Sequence, residues 1–321
     1  MASLTDEFSL IVKKSFNWML WLYLFAVSIA GGIVIVFSFI VFLLLALIVL
    51  LSLGFSSLLA WILCLILFIL FLLAAFFVSA ALQGASLNIS MEFLEKGRLD
   101  FWSAWGKTKP RIMTAFKVDL IVSVFFLIVF FACFLPFIFS LMNFFASLNL
   151  TDFLFAGPGD FLRVFAPLIV SFLISLLVFI VISIILLPFS VIYKQVPFFE
   201  SLPATDSINR AIFLAKKNYL KNLAFYFIFF VFIMVVSLVF AFVIGIFTVA
   251  MVSGIVWLVL LLIFLRVIIQ VIFSVWVSAF SFLFETKIYQ INVEGEKQRK
   301  TIEPKTSVKK RSRPSAKKRK K

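Results

Sequence analysis

No histidine occurs in the 321 residues, and the only two cysteines, Cys64 and Cys133, each sit inside a long apolar run. The commonest general base and metal ligand are therefore missing, which excludes Ser-His-Asp, Cys-His and zinc-hydrolase designs. The cysteines have neither paired nor metal-type spacing and say nothing of redox compartment. Negative charge is scarce too, with 14 Asp and Glu against 29 Lys and Arg. No cofactor and no enzymatic reaction is expected of this inventory.

Apolar side chains fill the space: 64% of residues are hydrophobic, 46 are Phe and the mean hydropathy is +1.23. A soluble domain holds about 45–50% apolar residues, so the expected class is an all-α integral membrane protein. Of the net charge of +15, residues 286–321 supply +11, from 14 Lys and Arg and three acids, Glu294, Glu296 and Glu303. The N-terminus carries Asp6, Glu7, Lys13 and Lys14, and the apolar run after it outlasts the h-region of a signal peptide. It reads as a retained first span.

A hydrocarbon core of about 30 Å takes roughly 20 apolar residues in a helix. Six runs of that length fit, near 18–48, 56–83, 113–143, 163–192, 222–249 and 255–284. The first two share the stretch 17–85, softly broken at Gly31-Gly32 and around Ser52-Leu53-Gly54. Positive charge counts them. The 86–112 segment holds Lys96, Arg98, Lys107, Lys109 and Arg111, and 193–221 holds Lys194, Arg210, Lys216, Lys217 and Lys221. Connections near 49–55, 144–162 and 250–254 hold no Lys or Arg. Only an even number of spans in 17–85 puts all basic segments on one face, so both termini are expected in the cytosol, with a plasma membrane as the setting.

The two basic segments are alike. Phe101, Ala104, Trp105, Thr108 and Ile112 follow the spacing of one helix face, as do Ile208, Ala211, Ile212, Ala215 and Tyr219 at a constant offset of 107. The pattern predicts two amphipathic helices at the cytosolic interface, started by Gly97 and the N-cap Asp100 in one, and by Pro197, Pro203 and the N-cap Asp206 in the other. Pro110 suits the first turn of the next span. The offset also superposes spans, giving a parallel internal repeat with copies at about 56–145 and 163–252. Chance alignment of two amphipathic segments is the alternative.

The segment Pro203-Ala-Thr-Asp-Ser-Ile-Asn-Arg-Ala-Ile-Phe-Leu-Ala-Lys-Lys-Asn-Tyr219, lying between two spans, resembles the interfacial motif of the membrane domain found in some glycerophosphodiester phosphodiesterases and related prokaryotic proteins. The six-span layout of residues 1–285 is similar. The resemblance implies a membrane module. In that family the phosphodiesterase activity belongs to a separate soluble domain, which the 36-residue remainder, without His, does not resemble.

Arg266 lies near the middle of the sixth span with Gln270 one turn away. A charge at that depth costs at least about 2.5 kcal/mol, so it faces the bundle interior, water or a partner. Either the pair lines a polar cavity for an anionic lipid or substrate, or Arg266 is structural, snorkelling or capping carbonyls. Asp119, with Lys117 close by, reads as a solvated interfacial pair. The 286–321 segment is expected to be a disordered polybasic tail, and its cluster of Lys309, Lys310, Arg311, Arg313, Lys317, Lys318 and Arg319 suits anionic lipid of the cytosolic leaflet, with RNA or a protein as alternative partner. Fixing topology needs no partner at all. Asn88-Ile-Ser90 and Asn149-Leu-Thr151 are sequons of no expected use. The leading expectation is a non-enzymatic module that binds or organises lipid or partner proteins; the alternative is a transporter, flippase-like or insertase-like protein working around Arg266 and Gln270.

Overall fold

The computed structural model describes residues 4–54, 57–147, 158–251 and 256–302. Helices account for nearly all of them, and no strand occurs among the described residues. In chain order they are α1 (Leu4–Ser15), α2 (Trp18–Leu53), α3 (Leu58–Lys96), α4 (Phe101–Thr108), α5 (Ile112–Ser147), α6 (Pro158–Phe199), α7 (Ala204–Lys217), α8 (Tyr219–Met251) and α9 (Val256–Ile302). A short 3-10 turn, Lys109–Arg111 with Pro110 in it, joins α4 to α5. Six helices, α2, α3, α5, α6, α8 and α9, are long and apolar enough to cross a membrane.

Caps set several boundaries. Asn17 accepts a hydrogen bond from the Leu20 amide (3.1 Å) and starts α2, while Gly54, at φ 83°, ends it. Asp100 accepts from the Ser103 amide (3.1 Å) and starts α4. The α7 boundary differs from expectation: Pro203 is the cap and Asp206 lies in the first turn, where its charge suits the helix dipole. Gly31-Gly32 makes no break. α2 runs straight through, and Gly31 is buried where the Leu82 side chain of α3 approaches it.

The spans run 33–47 residues, roughly 50–70 Å at 1.5 Å per residue, well beyond a bilayer's hydrocarbon core. Burial divides each helix. In α3, apart from Ala60, the exposed apolar residues reach Phe77 and burial starts at Ala80; in α9 exposure reaches Ile272 and burial begins at Trp276. Most buried residues thus gather at the end where α1, α4 and α7 lie, forming a platform, with a few, Cys133, Phe134, Leu168 and Ser175, between α5 and α6, and the most apolar stretches of α2, α3 and α8 contain no buried residue. Beyond the platform the spans pair as α2 with α3, α5 with α6 and α8 with α9. Phenylalanine ring contacts stitch the pairs: Phe39 tilted on Phe71 (5.5 Å), Phe130 edge-on to Phe179 (5.6 Å) and Phe240 stacked on Phe273 (4.0 Å). Such pairs are each worth about 0.5–1.5 kcal/mol.

Two parts of the platform depart from the sequence expectations. α1 is a helix whose Ile11 is fully buried and whose Phe8 packs edge-on against Phe232 (5.4 Å) and Phe280 (5.8 Å). Ser15 ends it as a junction: its hydroxyl donates to the Val12 carbonyl and accepts from the Trp276 indole (3.1 Å), and its carbonyl accepts from the Trp21 indole. Glu7 pairs with Lys287 at 2.8 Å. Lys14 donates to the Leu94 carbonyl (3.0 Å), and burial, followed by the charge of Lys287, pulls its ammonium below the usual lysine pKa. The second departure is residues 286–302, expected in the disordered tail. They continue α9, with Thr286, Ile288, Tyr289 and Asn292 buried, because helical spacing of these side chains outweighs the segment's charge. The tail cluster Lys309 to Arg319 lies outside the described residues.

At Gly84 of α3 an added Cβ would collide with the ring of Phe198 on α6, itself 2% exposed and unable to yield. At Gly31 the obstacle is only the flexible end of Leu82. Gly84→Ala is expected to destabilise by about 1–3 kcal/mol through overpacking, and Gly31→Ala by much less. Thermal unfolding of both variants in one detergent checks this; equal effects would mean that α3 and α6 are free to move apart.

Candidate functional site

Along α9, Arg266, Gln270, Ser274 and Ser278 recur at every fourth residue. A helix turns 3.6 residues per cycle, so each step of four drifts about 40° around the axis. The drift divides the stripe. At its deep end half-buried Arg266 faces α8, where Nη1 lies 3.4 Å from Thr248 Oγ1. Gln270, Ser274 and Ser278 have rotated towards α2 and line a groove of about 380 Å³ with Ser28, Leu24 and Phe25 on the other wall. Arg266 therefore sits one turn beyond the groove rather than inside it.

The chemistry of the stripe is graded. Ser274 donates to the Gln270 carbonyl and Ser278 to the Ser274 carbonyl, both at 2.9 Å, leaving the hydroxyl oxygens as acceptors. Gln270 is exposed and adds both an acceptor and an N–H donor. Arg266 has five N–H donors and one long hydrogen bond, to a threonine that spends its own proton on the Ile244 carbonyl (2.9 Å). Among the described residues no carboxylate lies within ion-pair distance of it. The stripe thus runs from acceptors near the platform to a cation near mid-span, one turn beyond the groove.

The short helices α4 and α7 are fastened to the platform by acids that sequence reasoning did not single out. Glu92, at the end of α3, is 2% exposed and accepts from Ser103 and Lys107 of α4, each at 2.6 Å. Glu200, just past α6, accepts from Arg210 of α7 at 3.0 and 3.1 Å and from the Tyr289 hydroxyl at 2.8 Å. Buried Asn88 bonds Thr108 across α3 and α4 (2.9 Å), a structural task for one of the sequons. The expected interfacial side chains Phe101, Trp105, Ile208 and Ile212 fall on these helices, whereas Tyr219 is the first residue of α8. Phe101 stacks between Tyr23 (6.4 Å) and Trp105 (6.5 Å), and Ile208, Ile212 and Tyr219 line a second groove with α5 and α6. One signal was legible: an acid closing each long apolar run, 15 and 10 residues ahead of a base.

Asp119 does not pair with Lys117. The cation acting on it is Lys194 of α6, which also acts on Glu285 of α9. Glu285 was hidden because the sixth span was expected to end at 284. Tyr226, 5% exposed, has an unpaired hydroxyl in the field of Glu285. These groups come from four helices and lie in the platform's interior; among the described residues none of them hydrogen-bonds a serine, threonine or cysteine as an activated nucleophile would require. Among the described residues no three His, Cys, Asp or Glu side chains are placed to hold a metal ion.

Glu92→Leu is expected to loosen α4 selectively. Amide hydrogen exchange over Trp102–Thr108 should quicken about tenfold, the lower end of what charge-assisted bonds of roughly 1.5–3 kcal/mol give, since Lys107 is half exposed. Exchange over α7 should not change. No acceleration in α4 would mean that apolar packing alone holds it.

No family model, no curated protein and no solved structure matches the chain, so the functional reading rests on the geometry above.

Proposed function

We propose that this protein is a non-enzymatic multi-pass membrane module that binds and organises lipid, with Gln270 in the α2–α9 groove and Arg266 one turn beyond it recognising an anionic headgroup. The observation that carries this reading is Arg266 itself: a mid-span guanidinium with one long hydrogen bond and no carboxylate partner among the described residues. A charge held at such cost without a protein counter-ion is matched by a phosphate, which arginine engages bidentately. Serine oxygens along the groove then suit the hydroxyl or ammonium groups of the same headgroup.

The bases of α1, α4 and α7 all lie at the platform end. By the positive-inside rule that end is cytosolic, α4 and α7 lie at the interface, and the polybasic tail meets the anionic cytosolic leaflet. The matched burial of Ala104 with Ala211 and of Thr108 with Ala215 supports reading 56–145 and 163–252 as parallel copies. On this view the likeness to the membrane domain of glycerophosphodiester phosphodiesterases extends to the module and not to the enzyme.

The groove's shape favours a second reading, a flippase-like or insertase-like protein. From Arg266 to Ser278 the stripe spans about 18 Å of helix, more than half of a hydrocarbon core and open sideways to lipid. Native mass spectrometry of wild type and Arg266→Ala, in one detergent with the tail intact, tests the first reading: loss of a co-purified anionic lipid from the variant is expected. An unchanged lipid profile with lowered thermal stability would sink it and leave Arg266 as structural glue. For the second reading, fluorescent-lipid exchange between leaflets of proteoliposomes should exceed that of empty vesicles and fall severalfold with Arg266→Ala; no excess ends it.

A further inference from the structure

The second groove, between α5, α6, α7 and the start of α8, differs from the first in joining an apolar lining to one basic side chain, Lys216. It measures about 420 Å³, within the roughly 300–1,000 Å³ range of cavities that hold a small molecule. Ile121, Phe125 and Ile185 line it and are themselves about half exposed on bilayer-facing stretches of α5 and α6. Lys216 of α7 and Tyr219 of α8 complete the lining.

The wall has a built-in break. Pro188 of α6 lacks the N–H that would bond the Ile184 carbonyl. One residue further on, the Tyr219 hydroxyl donates to the Ile185 carbonyl at 3.3 Å, tying the start of α8 to α6 beside the groove. Of the three bases on α7, two are already engaged. Arg210 is held by Glu200, and Lys217 lies 5.6 Å over the Phe213 ring. Lys216 is exposed and has no ion-pair partner among the described residues, yet it is the base that reaches the groove.

A cavity with an apolar lining, walls exposed to hydrocarbon and one ammonium without an ion-pair partner among the described residues matches an amphiphile with a negative head. We propose that it holds one acyl chain of an anionic phospholipid, with the phosphate on Lys216. Ile212, on the α7 wall, sets the room for the chain; Tyr219 is a positioning residue. This site shares no residue with the α2–α9 groove and does not depend on the reading of Arg266.

The test uses the full chain in nanodiscs of phosphatidylcholine and phosphatidylglycerol, released and weighed by native mass spectrometry. Wild type should retain phosphatidylglycerol over phosphatidylcholine. Ile212→Trp, which fills the groove from a partly exposed position, should lose one retained lipid. Lys216→Ser, a surface change that leaves the walls intact, should keep a lipid but lose about fivefold of the preference, the share of one basic residue near an anionic lipid. Arg266→Ala should leave this lipid in place. Unchanged preference in Lys216→Ser, or unchanged retention in Ile212→Trp, overturns the proposal, as does loss of the same lipid in Arg266→Ala.

Discussion

A hydrocarbon core of about 30 Å covers roughly 20 residues of a helix, and every one of the six spans here runs 33 residues or more. The surplus length is the constraint from which the architecture follows. Within lipid, apolar side chains gain nothing by leaving one apolar surroundings for another, so helices there associate only by close packing or polar contact. The surplus lies where water or headgroups make burial favourable again. All the spans therefore converge at one end, and their distal halves stay paired but open.

Grooves are the expected by-product of that convergence. Helices fixed together at one end and loosely paired at the other leave wedges that widen into the bilayer, as between α2 and α9 and between α5 and α6. What each wedge offers depends on which side chains the helical drift brings to it. The α9 stripe illustrates the point: the same four-residue spacing gives Arg266 to α8 and Gln270 to α2. Glu200, which holds α7 through Arg210, then fixes one wall of the α5–α6 wedge.

The spans were legible because each is an apolar run too long for anything else, and their number followed from charge asymmetry between connections. What escaped was whatever a strongly hydrophobic or strongly charged background conceals. α1 was hidden by four charges in twelve residues, although Phe8, Ile11, Val12 and Ser15 follow one face. Residues 286–302 were hidden by the basic tail they precede. Gly31-Gly32 looked like a break because glycine disfavours helix, but packing of Leu82 against Gly31 overrides propensity. Arg266 and Gln270 stood out by composition, whereas their separation onto two neighbours needed the helix axis. Lys194 and Glu285, ninety-one residues apart, had no local signal linking them.

The depths of the two cations named at the grooves follow from their chemistry. Guanidinium stays charged in any protein environment and is weakly hydrated, so arginine is the base able to hold charge at mid-span. Ammonium is compact and strongly hydrated, and loses its proton readily when buried. A lysine serving the same anion must keep its head at the water boundary while its stem lies along apolar surface. On the reading proposed above, Arg266 at mid-span, one turn beyond one groove, and Lys216 on the lining of the other are the two placements of positive charge open to a chain without histidine.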